Sequence, residues 1–203
     1  MLQIVSFRSP SMVLLPMMAL MLMAPAGYAT PIKLVADLSG LNEIPATNSP
    51  GIGHADIVLD AAAHTIQLNI TFSGLVSPDS AAHIHCCLPA PLNNTTNVGV
   101  ATAVPAFPLF PLQVTSGTYS SAVFDLTQST FYNSAFVTLQ GGLPQAEASL
   151  VAGLLDGKTY LNIHSGTFPL GEIRGFVVQA VPEPSSLVLL GSGVFALLLY
   201  RRK

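Results

Sequence analysis

Ile66-Gln-Leu-Asn-Ile-Thr-Phe72 alternates apolar and polar side chains through all seven positions. A period of two places Ile66, Leu68, Ile70 and Phe72 on one face of an extended chain and Gln67, Asn69 and Thr71 on the other, which is the pattern of a half-buried β-strand. Working outward, similar short runs occupy 32–38, 54–60, 81–86, 98–104, 118–126, 158–164 and 172–179, separated by clusters of Gly, Pro, Asn and Ser. Seven or eight short strands predict an all-β fold, an antiparallel sandwich or barrel. One helix is expected at 145–155, where Leu150 and Leu154 stand four apart and Gly157 follows as a stop. Pro105, Pro108 and Pro111 cannot donate to a ladder, so 104–111 reads as a loop or an edge.

The chain has 203 residues and a net charge of −3, but the charge is unevenly spread. Between 31 and 180 nine acidic side chains face only three basic ones, Lys33, Lys158 and Arg174, for a net charge of −6. A domain with three cations cannot neutralise a run of phosphates, which excludes nucleic acid as a partner. Its length suits one domain with one core. No Gly-x-Ser-x-Gly, P-loop, dinucleotide or paired-carboxylate signature is present in its required context, and we expect no enzyme activity.

Both ends carry targeting chemistry. Arg8, the apolar stretch 12–23 interrupted by Pro16, and Gly27 and Ala29 in an A-x-A-like cleavage site read as a signal peptide over 1–29. At the other end, Pro182-Glu183-Pro184 breaks regular structure, 187–200 carries no charge, and Arg201, Arg202 and Lys203 supply a basic terminus. Fourteen helical residues reach about 21 Å against a hydrocarbon core of about 30 Å, short for a permanent span. This order of parts resembles the PEP-CTERM tail, against the alternative of an ordinary tail anchor. The resemblance implies a short transmembrane helix within 181–203 and recognition by an exosortase that cuts near Pro182-Glu183-Pro184. It further implies a transient stay in the inner membrane of a Gram-negative bacterium. Delivery to the cell surface or extracellular matrix would follow, with extracellular polysaccharide or matrix proteins as further partners.

Three segments of the domain at 30–180 stand out: Leu38-Ser-Gly-Leu-Asn-Glu-Ile-Pro45, Ala82-His-Ile-His85, and Tyr160-Leu-Asn-Ile-His164 continued by Pro169-Leu-Gly-Glu-Ile-Arg-Gly175. Together they resemble the CHRD domain of exported proteins. The resemblance implies an immunoglobulin-like antiparallel β fold with a faint likeness to Cu/Zn superoxide dismutases, and it implies no particular chemistry.

The residues themselves imply more. On a strand, His83 and His85 share a face about 7 Å apart, with Ile84 opposite. Leu161 and Ile163 belong to the core, which puts Tyr160, Asn162 and His164 on the other, polar face. Two readings stay open. In one, the imidazoles bond to backbone or to Glu172 and serve packing. In the other, His83, His85 and His164 hold zinc or copper, with Glu172 or Glu43 as a carboxylate ligand or orienting group. Ligation needs neutral rings, so metal-dependent stability should fade below about pH 6.5. Glu172 and Arg174 share a face of the last strand and can form a pair or bridge to a neighbour's carboxylate, worth at most about 1 kcal/mol if exposed. Cys86 and Cys87 are the sole cysteines. They suit a vicinal disulfide, intermolecular cross-linking or thiolate ligation. Together these features point to an exported surface or matrix protein with a binding or structural role, with a surface metalloprotein as the alternative.

Overall fold

The alternating stretch forms β3 (Thr65–Ser73), whose Ile66, Leu68, Ile70 and Phe72 are all buried while Asn69 and Thr71 are exposed. Burying each such side chain contributes roughly 1.5–3 kcal/mol relative to leaving it in water. The computed structural model describes residues 30–89 and 96–180. Around β3 are β1 (Ile32–Ser39), β2 (Ile52–Asp60), β4 (Asp79–Cys86), β5 (Gly117–Ser120), β6 (Phe124–Asp125), β7 (Thr159–Ser165), β8 (Ile173–Phe176) and β9 (Val178–Gln179). All the strands pair antiparallel in one sheet of order β4-β7-β8-β1-β2-β3-β5, with β6 on β3 and β9 on β1. The sheet curls into a half-barrel, and the expectation of an all-β fold holds.

Two helices rather than one pack on it, α1 (Ser134–Gln140) and α2 (Leu143–Leu155). The second extends the expected helix, burying Leu150 and Leu154, with Gly157 at φ 69° after its end. The first is too short for a clear period. Its signals are its ends: the Asn133 side chain accepts from the Ala135 amide at 3.0 Å, and Gly141 closes it at φ 88°. Expected strands also break. The 118–126 run divides into β5 and β6, and 172–179 into β8 and β9.

The 98–104 run is not a strand but a strap on the outer edge of β4. Cys86 N donates to Gly99 O at 3.1 Å, Ala101 N to Ile84 O at 2.8 Å, and Ile84 N to the Thr102 hydroxyl at 2.9 Å. Pro105 continues the strap by accepting from Ala82 N at 3.1 Å. Covering the edge in this way removes the row of free amides that an exposed β4 would present.

Among the described residues no helix is long and apolar enough to cross a membrane. The signal-peptide stretch 1–29 lies outside the described residues, as do the sorting residues Pro182, Glu183, Pro184, Arg201, Arg202 and Lys203.

At the β1–β8 crossing Gly175 has no room for a side chain, because an added Cβ would overlap the Asp37 backbone. A Cβ at Gly99 meets nothing within 4 Å. Gly175→Ala should therefore cost about 1–3 kcal/mol or more in denaturant unfolding, and Gly99→Ala less than about 0.5 kcal/mol.

Candidate metal centre

β4 and β7 are neighbours, with His83 opposite Asn162, His85 opposite Tyr160 and Ala81 opposite His164. That register brings His83, His85 and His164 to one face, and the rings lean together. Their centroids lie 4.8 Å (His83–His85), 4.6 Å (His83–His164) and 6.1 Å (His85–His164) apart. One ring nitrogen from each comes within 4.8 Å of the other two.

The face expected to be polar is polar, and it is buried: every residue of β7 is buried. Two segments close over it, the strap from Val98 to Pro105 and the loop at Pro169, and together they give each ring one carbonyl. His85 Nδ1 donates to Val98 O at 2.7 Å, His164 Nδ1 to Pro169 O at 3.0 Å, and His83 Nδ1 to Pro105 O at 3.2 Å. A carbonyl only accepts, so each Nδ1 carries the proton and each neutral ring keeps its lone pair on Nε2. All three Nε2 atoms are buried without a hydrogen-bond partner. Leaving a buried acceptor unpaired costs about 1–3 kcal/mol, and three converging ones offer no proton to one another.

Burial, reinforced by His85 and His164, pushes the His83 pKa down to about 3. Burial likewise brings His85 to about 4 and lowers His164. His83 and His85 therefore stay neutral well below pH 6.5 and His164 shifts in the same direction, which moves proton competition with a metal to lower pH.

One oxygen of each candidate carboxylate is engaged elsewhere, while Glu43 Oε1 and Glu172 Oε2 are buried without a hydrogen-bond partner. Glu172 Oε1 accepts from the Ser49 hydroxyl and the Val76 amide, both at 2.6 Å. Glu43, buried near Asn162, pairs with Arg174 at 4.0 Å. Burial outweighs the arginine and raises the Glu43 pKa to about 7. Arg174 is buried, and of the two expected arrangements it takes the bridge to a neighbouring carboxylate, Glu43, rather than the pair with Glu172. It donates to Asn42 O and to Asn97 Oδ1 and lies 4.5 Å above the Tyr160 ring. Tyr160 in turn stacks on His85 at 4.5 Å, so the guanidinium, the phenol and the imidazole form one pile. Val98 N donates to the Tyr160 hydroxyl at 3.2 Å. Imidazoles bonded to backbone were one of the two expectations, but the sequence identifies neither the carbonyls that accept nor the pile. The Tyr-x-Asn-x-His spacing marks only the strand that carries them.

His54 and His64 lie apart from the triad, bonded to Asp37 at 2.7 Å and Glu147 at 2.5 Å respectively. Cys86 and Cys87 are joined as a vicinal disulfide against Gly153 of α2.

An antiparallel half-barrel with a buried three-imidazole cluster on one strand pair is the class that fold and site define. Residues 34–177 match the CHRD domain, and the chain belongs to that family. Residues 180–203 match the PEP-CTERM protein-sorting motif, which marks an exported protein recognised by an exosortase and destined for the cell surface or extracellular space. No curated protein and no solved structure matches the chain.

The lowered histidine pKa values fix the sign of a pH effect. Between about pH 4 and 6.5 the unfolded chain binds protons that the folded triad refuses, so the triad's contribution to stability is lost as pH falls through that window. Glu43, raised by burial, acts in the opposite sense. Urea unfolding of metal-free wild type and His83→Gln from pH 7 to 4 should isolate the triad, with the variant losing stability less steeply on acidification.

Proposed function

We propose that the exported domain binds a transition-metal ion, zinc or copper, through His83, His85 and His164, and serves at the surface as a binding or structural module without enzymatic turnover. The observation that carries this reading is the set of three Nε2 atoms, buried and without a hydrogen-bond partner, on rings that each bring a nitrogen within 4.8 Å of the other two. A divalent cation is the ligand that satisfies three neutral imidazole acceptors at once. Latching Nδ1 to a carbonyl is also how metal-ligating histidines are commonly oriented.

Distance supports the fit. Three nitrogens no more than 4.8 Å apart share a point within about 2.8 Å of each. Zinc–imidazole bonds are about 2.0–2.1 Å, so movements of under about 1 Å close the site. Three protein nitrogens leave one position of a tetrahedral ion for a further donor. The burial of the nitrogens favours a retained ion over one that turns over substrate.

A metal bound by the folded state alone raises its melting temperature by mass action. The exported protein, stripped of chelator and affinity tag, should melt higher with added zinc or copper at pH 7. His83→Ala or His164→Ala should abolish the rise, and His64→Ala should leave it intact. Equal melting temperatures with and without either metal would make the histidines packing residues.

The sorting route has its own test. Replacing Pro182-Glu183-Pro184 removes the recognition element while 187–200 and the basic terminus remain. Cell fractionation should then find the protein uncut and membrane-held. Unchanged release would remove the exosortase route.

A further inference from the structure

On the side of β4 away from the imidazoles, the sulfurs of Cys86 and Cys87 line an open pocket of about 460 Å³ together with Gly99, Gln140, Gly153 and Lys158. Cys86 is buried, whereas Cys87 is partly exposed. The floor beneath them is tight: a Cβ on Gly153 would stand 2.7 Å from one sulfur and 2.9 Å from the other. Cys86 also follows the candidate ligand His85 directly, and one strap holds both, through Val98 O to the His85 ring and Gly99 O to the Cys86 amide.

We propose that the Cys86–Cys87 disulfide is a thiol-exchange site whose redox state sets the metal affinity of the three-histidine centre. This rests on the metal reading above. The co-reactant is a small monothiol, which the pocket admits to the more exposed sulfur. Its thiolate attacks Cys87 Sγ; a mixed disulfide forms there as the protein S–S bond breaks and Cys86 leaves with the electron pair, to be protonated. A second monothiol attacks the small molecule's sulfur, releasing the Cys87 thiol and a disulfide of the two small thiols. The protein gains two electrons and two protons, and two monothiols lose them.

Coupling follows from space. Bonded sulfurs lie about 2.05 Å apart, and non-bonded heavy atoms separate to about 3.5–4 Å. Toward Gly153 there is no room for that change, so the sulfurs part toward the pocket, and opening the ring between adjacent residues lets the end of β4 shift, carrying His85 away from its partners. Reduction weakens metal binding, and reoxidation restores it.

The test uses the folded exported protein. It is exposed to an excess of monothiol, a portion is alkylated and weighed by mass spectrometry, and the remainder is desalted and titrated with zinc. Both cysteines should label without denaturant. Zinc affinity should fall about tenfold, within the range usual for coupled sites, and return on reoxidation. Cys86→Ser/Cys87→Ser should bind as weakly as the reduced protein and ignore the thiol. The reoxidation arm decides the matter even if that variant fails to fold. A disulfide that resists thiol until the protein is denatured overturns the exchange site. An affinity unchanged on reduction, or raised by the new thiolates, overturns the coupling. Zinc binding absent in both states removes the metal reading and the coupling together, while the labelling still decides whether Cys87 is an exchange site.

Discussion

Strand β7 is buried on both faces, and the rest of the molecule accommodates that constraint. One face, Leu161 and Ile163, joins the apolar core. The other holds Tyr160, Asn162 and His164. Polar groups removed from water need partners or they cost more than their burial returns. The chain answers with backbone, bringing the loops around Val98, Pro105 and Pro169 over the face so that their carbonyls meet ring N–H groups. It also answers with a charge pair, since the buried guanidinium of Arg174 is matched by Glu43 and two asparagine oxygens. Removing one member of such a pair leaves an uncompensated charge in the interior, which is why a buried pair constrains sequence more than it adds stability.

The same economy explains the strap on β4. Pro105 O accepts from Ala82 N and from His83 Nδ1, so one carbonyl both covers the sheet edge and sets a histidine tautomer. Val98 O serves His85 and the Tyr160 hydroxyl. Edge protection and site construction are thus the same hydrogen bonds, and a change that frays the edge also releases the rings.

What could be read in advance divides along physical lines. The alternation from Ile66 to Phe72 was legible because a half-buried strand writes its two environments into its sequence. The shared face of His83 and His85 was legible from the period of two, and the adjacency of β4 and β7 completed it. The 98–104 run looked like a strand because apolar residues recur in it, but Val104-Pro105 stops a ladder and the run divides its hydrogen bonds between β4 and the 131–133 segment in isolated bridges. The burial of Tyr160, Asn162 and His164 was not legible, since a polar face against loops has the same composition as one against water. The partners of Glu172 lie at Ser49 and Val76, more than ninety positions away, and no local pattern encodes them.

The pairing of β9 with β1 gives the molecule a polarity. Leu34 faces Gln179, and the Ala180 amide donates to Lys33 O, so the described chain enters and leaves the domain side by side. The registers carry this end across the sheet: Asp60 and Thr65 lie at it, and so does Cys86 opposite Thr159. Ser39, Ile52 and Ser73 lie at the opposite end, together with the loops at 40–51 and 166–172. The domain thus has two unlike ends: the cysteine pair lies at the end where the described chain enters and leaves, and the loops at 40–51 and 166–172, with the Glu43 carboxylate buried among them, lie at the other.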